Sequence, residues 1–197
     1  MGTNLTKHNF TVSRENRESI CGHKGKVLWF TGLSGAGKTT IGNLLDQMLL
    51  ENKNHSYVLD GDIARSGLTS DLEFDKRSRE ENLRRMRFVA QMFCDAGLIT
   101  IVTLISPFKE DRLKARMLLK DRFLEIYVKA SMRTLEHRDP KGLYKLALDG
   151  KIPNFTGISS PYDEPENPDL ELDTENSSAN SCASEVFELL RDKKFIF

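Results

Sequence analysis

Lys26-Val27-Leu28-Trp29-Phe30-Thr31-Gly32-Leu33-Ser34-Gly35-Ala36-Gly37-Lys38-Thr39 is the stretch on which the reading of this chain turns. Its first six residues form an apolar, β-rich run, and Gly32 to Thr39 complete a G-x-x-x-x-G-K-[ST] pattern. Glycines let the backbone curl until successive N–H groups face one point, and a helix starting there adds its positive end. That geometry suits the phosphates of a nucleotide. Lys38 is expected to reach the β- and γ-phosphates, serving as a charge and not as core packing. The Thr39 hydroxyl is expected to ligate Mg²⁺, which takes a few hard protein oxygens and keeps its other positions for water and phosphate. A chance match in a glycine-rich turn is the competing reading; the strand before the loop and the helical pattern after it argue against that.

Working outward, 197 residues suffice for one well-buried α/β domain. Lys and Arg number 29, as do Asp and Glu, so the balanced charge gives no basic surface for nucleic acid. Cys21, Cys94 and Cys182 are three, with no C-x-x-C pair, which fits reduced thiols in a cytosolic setting. No apolar run approaches the ~20 residues of a membrane span, and no apolar signal core opens the chain. A soluble, cytoplasmic protein without membrane or nucleic-acid partners is the expectation. Met1-Gly2-Thr3-Asn4-Leu5-Thr6 formally matches an N-myristoylation pattern, but no polybasic run follows to give the second membrane signal.

Residues 1–24 read as a polar extension, too poor in apolar side chains to build a core element, and residues 25–197 as the domain. After the glycine loop, Ile41, Leu44, Leu45, Met48 and Leu49 recur at helical spacing until Asn52-Lys53-Asn54. Tyr57-Val58-Leu59 reads as a strand ending in Asp60-Gly61-Asp62, which puts two carboxylates at the sheet edge where α/β ligands bind. From Asp75 to Gly97 a long helix carries Leu83, Met86, Val89, Ala90 and Phe93 on one face and five arginines on the other; a solvated face is the ordinary reading of such a charge run. Leu98–Ser106 is an apolar strand, 109–119 a helix, Phe123–Val128 a strand, and 132–138 a short helix. Residues 139–168 carry Pro140, Pro153, Pro161, Pro165 and Pro168 with little periodicity, and read as a mobile lid. Within them, Leu143–Leu148 has room for one or two helical turns. Leu170–Asp173 is a last strand, and Ala183–Arg191 a closing helix. Strands alternating with helices imply a P-loop NTPase-type three-layer sandwich around a parallel five-stranded sheet.

A phosphate loop alone names no reaction. The chain length suits a small kinase, and no base-reading Asn-Lys-x-Asp is present, which favours ATP over GTP. Of the two carboxylates in Asp60-Gly61-Asp62, one can orient Mg²⁺ through its water shell and the other can accept a proton from an attacking hydroxyl. A plain tight turn is the alternative for that tripeptide.

Several stretches resemble those of adenylylsulfate kinases, which phosphorylate the 3′-hydroxyl of adenosine 5′-phosphosulfate (APS). They are Trp29–Gly35, Leu59–Asp62 with Arg65, Arg79 with Asn82, Arg84 and Arg85, Ile105-Ser106-Pro107, and Arg138–Lys145 onward to Phe155–Ile158 and Ser160-Pro161-Tyr162. The resemblance implies Asp62 as general base and Asp60 as helper of the magnesium shell, with Thr39 as direct ligand. It implies an ATP site of Gly32, Leu33, Ser34, Gly35, Ala36, Gly37, Lys38, Thr39, Thr40 and Arg138. It places Arg65, Arg79 and Asn82 on the phosphosulfate, since guanidinium forks suit such an anion. Phe74 and Phe155 would stack on the acceptor adenine, while Ile105, Lys141, Thr156, Gly157 and Ile158 complete the acceptor site and lid. Ser106 falls on the position assigned in the family as a phosphoserine intermediate, although direct in-line transfer needs none. The resemblance further implies ATP with Mg²⁺ as co-substrate, no tightly bound cofactor, and a homodimer. Ile63, Glu73, Ser78 and Ser159 depart from the usual Asn, Gly, Asp and Asp of the family, which bears on acceptor grip. A kinase for a related nucleotide-linked anion and a non-catalytic nucleotide-binding regulator are the alternatives; intact Lys38, Thr39, Asp60 and Asp62 argue against the regulator.

Overall fold

The six-residue apolar run Lys26–Thr31 is β1, and every one of its residues is buried. In the computed structural model, which describes residue 8 and residues 10–197, β1 pairs in parallel with β3 (Ile99–Thr103) on one side and β4 (Phe123–Lys129) on the other. β2 (Ser56–Asp60) and β5 (Leu170–Asp173) close the edges, giving the order β2-β3-β1-β4-β5 with all pairs parallel. A parallel sheet must be covered on both faces, and the strand period of two divides β1 accordingly. Leu28 and Phe30 face α2 (Lys38–Glu51) and α8 (Ala179–Asp192), where Ile41, Leu45, Leu49, Val186 and Leu190 are buried. Val27 and Trp29 face the opposite layer, α4 (Lys76–Asp95) and α5 (Lys109–Leu119), with Leu83, Met86, Ala90, Ala115 and Leu119. The three-layer parallel sandwich expected from the alternation of patterns is the observed fold.

Differences from the sequence reading have local causes. Part of the polar N-terminal stretch is a helix, α1 (Arg14–Cys21), because Ser13 and Asn16 cap its first turn reciprocally. Its buried Glu18 accepts from the Gly25 amide at 2.9 Å, and Arg17 and Cys21 lie against Gly97. Met1–Thr6, with the formal lipidation pattern, lie outside the described residues. The segment after β2 is a further helix, α3 (Gly61–Arg65), too short for periodicity to reveal and started by the Asp60 side chain. β3 stops at Thr103, not Ser106, and the chain then turns out of the sheet through Ser106 at φ 47°. The C-terminal helix begins at Ala179, four residues early, because Ser178 caps it. The segments α6 (Met132–Arg138) and α7 (Leu143–Leu148) form where the pattern suggested. Among the described residues no helix is long and apolar enough to cross a membrane. Cys94 is fully buried in the second layer, where desolvation pushes its thiol up to about 11.

Candidate active site

β1 delivers the glycine loop to the C-terminal edge of the sheet. Gly32 sits at φ 150° with its Cα against β4: an added Cβ would lie 2.3 Å from the Val128 carbonyl oxygen. Gly37, at φ 104°, caps α2 in the left-handed region that side chains avoid. Lys38 is the first helical residue and is buried. Its Nζ donates to the carbonyls of Gly32 at 2.8 Å and Leu33 at 2.7 Å. Lys38 is thus buried in the loop, outside both apolar layers, and the loop folds around its ammonium because two carbonyl acceptors face inward. Desolvation lowers its pKa to about 7, against the pull of Asp60 and Asp62.

Asp60 ends β2 and is fully engaged. One carboxylate oxygen accepts from the Thr39 and Thr103 hydroxyls, both at 2.8 Å; the other accepts from the Asp62 and Ile63 amides at 2.9 and 3.3 Å. Burial pushes its pKa up, but the four hydrogen bonds outweigh it and hold the group below the usual carboxylate range. Thr103 was not anticipated. It is the register partner of Asp60 across the parallel ladder, and only knowledge of strand order could have exposed it. Thr39 and Asp60 thus present a hydroxyl and a carboxylate side by side, a hard-oxygen pair that fits Mg²⁺ brought in with nucleotide phosphates. Asp62, on the exposed side of α3, accepts from Lys141 Nζ at 2.6 Å, and that bond raises the lysine's pKa.

From this carboxylate pair a cleft of about 660 Å³ runs to the start of α4 and the lid. The Arg65 guanidinium lies 4.0 Å over the Phe74 ring, and the ring remains more than half exposed to the cleft. Arg79 donates to the carbonyl of Phe74 at 2.8 Å, the Thr156 hydroxyl at 2.8 Å and the carbonyl of Asn154 at 2.6 Å, so it ties α4 to the lid. Asn82 is buried, and its Oδ1 has no hydrogen-bond partner among the described residues. A buried polar atom without a partner at a cleft wall is a feature that a ligand can satisfy. Phe155 meets Tyr144 edge-on at 5.1 Å, and the Tyr144 hydroxyl donates to the Ser34 carbonyl at 2.8 Å, which couples the lid to the glycine loop. Tyr144 was quoted in the sequence pattern without a role; its contact with the loop spans 110 residues and leaves no local signal. Ile105 and Ser106 line the same cleft, and the buried Ser106 hydroxyl accepts from Trp29 Nε1 at 2.9 Å.

Not every expected residue gathers here. Gly157 and Ile158 line an adjoining groove of about 470 Å³ beside Leu33 and Met132. Arg138 is turned to Thr174, donating to its hydroxyl at 3.2 Å and to its carbonyl, and does not line the cleft. Among the departures, Ile63 is largely exposed, Ser78 joins Asp75 in capping α4, and the Ser159 hydroxyl accepts the Phe155 amide at 2.9 Å. Ser159 therefore shapes the turn that presents Phe155.

The sequence model of the adenylylsulphate kinase family matches residues 24–173. This chain belongs to the adenylylsulfate kinase family. The adenylyl-sulfate kinase of Clostridium acetobutylicum is 47% identical over 194 residues, covering 98% of this chain and 97% of its own. That of Prochlorococcus marinus is 50% identical over 189 residues, 95% of this chain and 94% of its own. The solved APS kinase of Mycobacterium tuberculosis, in complex with AMPPNP and APS, superposes with a TM-score of 0.83 at 45% identity, over 86% of this chain and 99% of that one. By that membership the chain is a kinase.

Proposed function

We propose that this protein transfers the γ-phosphoryl group of ATP to the 3′-hydroxyl of APS, giving 3′-phosphoadenosine 5′-phosphosulfate and ADP. One observation carries the reading. A single cleft joins the glycine loop, Asp60 and Asp62 to a wall of Arg65, Arg79, Asn82, Phe74 and Phe155. The arginines suit a charged phosphosulfate, the unpartnered Asn82 oxygen suits a hydroxyl or amino donor of the acceptor, and the two aromatic rings suit a purine.

In this site Asp62 accepts the proton of the 3′-hydroxyl as its oxygen bonds to the γ-phosphorus and the bond to the ADP oxygen breaks. Lys38 and the loop amides balance the charge that moves toward the β-phosphate. Thr39 directly and Asp60 through water would hold Mg²⁺, which would supply charge neutralisation at the donor phosphates. Lys141 engages one carboxylate oxygen of Asp62 at 2.6 Å and leaves the other to take the acceptor's proton. Direct transfer is favoured over a phosphoserine because Ser106 is 2% exposed and its hydroxyl is already engaged by Trp29. A homodimer and a cytoplasmic setting are carried over from the family likeness, to be tested by sedimentation and by cell fractionation.

Steady-state ADP release with APS, AMP and other adenine nucleotides as acceptors tests the reading. APS should give the highest kcat/KM and a 3′-phosphorylated product. A higher kcat/KM for another nucleotide-linked anion would replace APS by that acceptor, and ADP release that no acceptor stimulates would reject the kinase reading of this cleft.

A further inference from the structure

Ser106 holds a left-handed backbone, φ 47°, that a serine does not adopt freely, and Asp163 begins the chain's return from the lid. Both are held by one side chain. Arg112, on α5, is 3% exposed; its Nη1 donates to the Ser106 carbonyl at 2.7 Å and its Nη2 to the Asp163 carbonyl at 2.6 Å. Its Nε donates to Glu125 of β4 at 2.7 Å, and Glu125 in turn accepts from Arg116 at 3.2 Å. The guanidinium fork is therefore planted in the sheet by a buried carboxylate and spends its remaining edges on two backbone carbonyls, one from the cleft wall and one from the lid's C-terminal root. The two segments are also stitched to each other: the Asp163 amide donates to the Pro107 carbonyl at 2.8 Å, and the Lys109 amide donates to the Asp163 carboxylate at 3.0 Å. Tyr162 reaches Thr31 of β1 through hydroxyl oxygens 3.0 Å apart.

We infer that Arg112, seated on Glu125, is a positioning residue for the reaction: it locks the Ile105–Pro107 wall of the acceptor site and the C-terminal root of the lid into one rigid unit. Arg112 does not line the cleft; it stands behind the wall and acts through the backbone carbonyls of Ser106 and Asp163. The planar fork suits this arrangement, because Nε, Nη1 and Nη2 each serve a different acceptor across one plane, whereas an ammonium would have to gather all three acceptors around a single nitrogen. Lysine keeps the charge and loses the fork. The fixed root leaves the rest of the lid, from Asp139 to Ser160, as the part free to swing, which confines closure to a movement about one end. This inference rests on the acceptor reading above for its kinetic consequence, while its structural consequence stands without any acceptor.

Removing one partner of a buried ion pair strands the other and endangers the fold; replacing both by uncharged groups of similar size avoids that. The test uses the full chain as Arg112→Lys and as the double variant Arg112→Met with Glu125→Gln. In the double variant KM for APS should rise about tenfold and KM for ATP stay within about twofold, with more ATP hydrolysed per transfer because the cleft wall no longer seats the acceptor. Arg112→Lys should show the same split in smaller measure. In the ligand-free double variant, hydrogen exchange at the Lys109 and Asp163 amides should quicken together while Gly32–Thr39 remain as protected as in the parent. Unchanged KM for APS, an equal rise in both KM values, or unaltered exchange at those two amides would each overturn the inference and leave Arg112 as a fold-stabilising residue only. If the parent protein does not use APS at all, the acceptor reading fails, and the exchange measurement alone decides the positioning role.

Discussion

At the phosphate end of the cleft, Thr39, Thr103 and Asp60 meet because the parallel ladder sets their strands side by side, with Asp60 in register with Thr103. At the acceptor end, contacts are made by single side chains across long stretches of sequence: Arg79 to Asn154 over 75 residues, and Asp62 to Lys141 over 79. The first region is a fixture of the sheet, and its hydrogen bonds are saturated before any ligand arrives. The second is held by exposed ion pairs and lid contacts, which are individually weak in water. The contrast separates two tasks. A preorganised cradle suits a donor polyanion, and contacts as weak as those at the other end suit the lid closure proposed for the acceptor.

The contrast breaks most visibly at Lys38. Lys38→Ala should lower phosphoryl transfer by about 10³-fold, since a donor aimed at developing phosphate charge is lost. Two loop carbonyls also lose their partner, but a buried charge goes with it, so the thermal midpoint should change little. A thermal melt and single-turnover assay check both; transfer near the parent's rate would remove this loop from the donor site. Asp62→Asn comes next, with kcat down by about 10²-fold and ATP affinity nearly unchanged, because an amide keeps the shape and cannot take the proton. Collapse of ATP binding would instead move Asp62 to the phosphate side of the comparison and give Asp60 the base role.

On the lid side, Phe155→Ala should raise KM for the acceptor roughly tenfold, leave ATP binding alone, and increase hydrolysis relative to transfer. Product ratios, together with protease cleavage of residues 139–165 with and without ligands, decide it. Equal protection in all states with unaltered ratios would show static packing. The smallest expected effect is a proton. With the Lys38 pKa lowered to about 7 in the substrate-free protein, the lysine is largely neutral above that pH. Nucleotide phosphates then restore its charge, so ATP binding should take up close to one proton at about pH 8, about half a proton at about pH 7 and almost none below about pH 6. The same depression means that charging this buried lysine burdens the free fold below about pH 7, and the burden lifts as pH rises toward the unfolded value of 10.5. Calorimetry in buffers of different ionisation enthalpy measures the uptake; its absence at pH 8, or its persistence in Lys38→Met, would refute the assignment.

The legibility of the two regions differs for the same reason that their construction does. Gly32–Thr39 are contiguous, and Asp60 follows a short strand, so a pattern along the chain exposes them. Arg65, Arg79, Asn82 and Phe155 were nameable only through resemblance to a family, because nothing in a helix face of five arginines separates Arg79 from the solvated ones. Arg84 and Arg85, on that same face, make salt bridges with Glu81 instead. In the structure Arg138 meets Thr174, and Gly157 and Ile158 line the groove that adjoins the cleft beside Leu33, so the residues grouped by the resemblance come from neighbouring parts of one surface. α1 and α3 escaped notice because caps, not apolar stripes, create them.

By itself the sequence determined the alternation of strands and helices, the glycine loop with Lys38 and Thr39, the carboxylate pair after β2, and the irregular lid. These follow from periodicity, glycine spacing and proline content, which are properties of neighbours along the chain. Only the tertiary structure decided that Thr103 shares Asp60 with Thr39, that Lys141 occupies Asp62, that Tyr144 reaches the loop, and that Arg112 fastens Ser106 and Asp163 to Glu125. Those contacts join residues tens of positions apart or lie behind the cleft wall. They exist only once burial of the two apolar layers against the sheet has fixed strand order and register, and no local propensity encodes that choice.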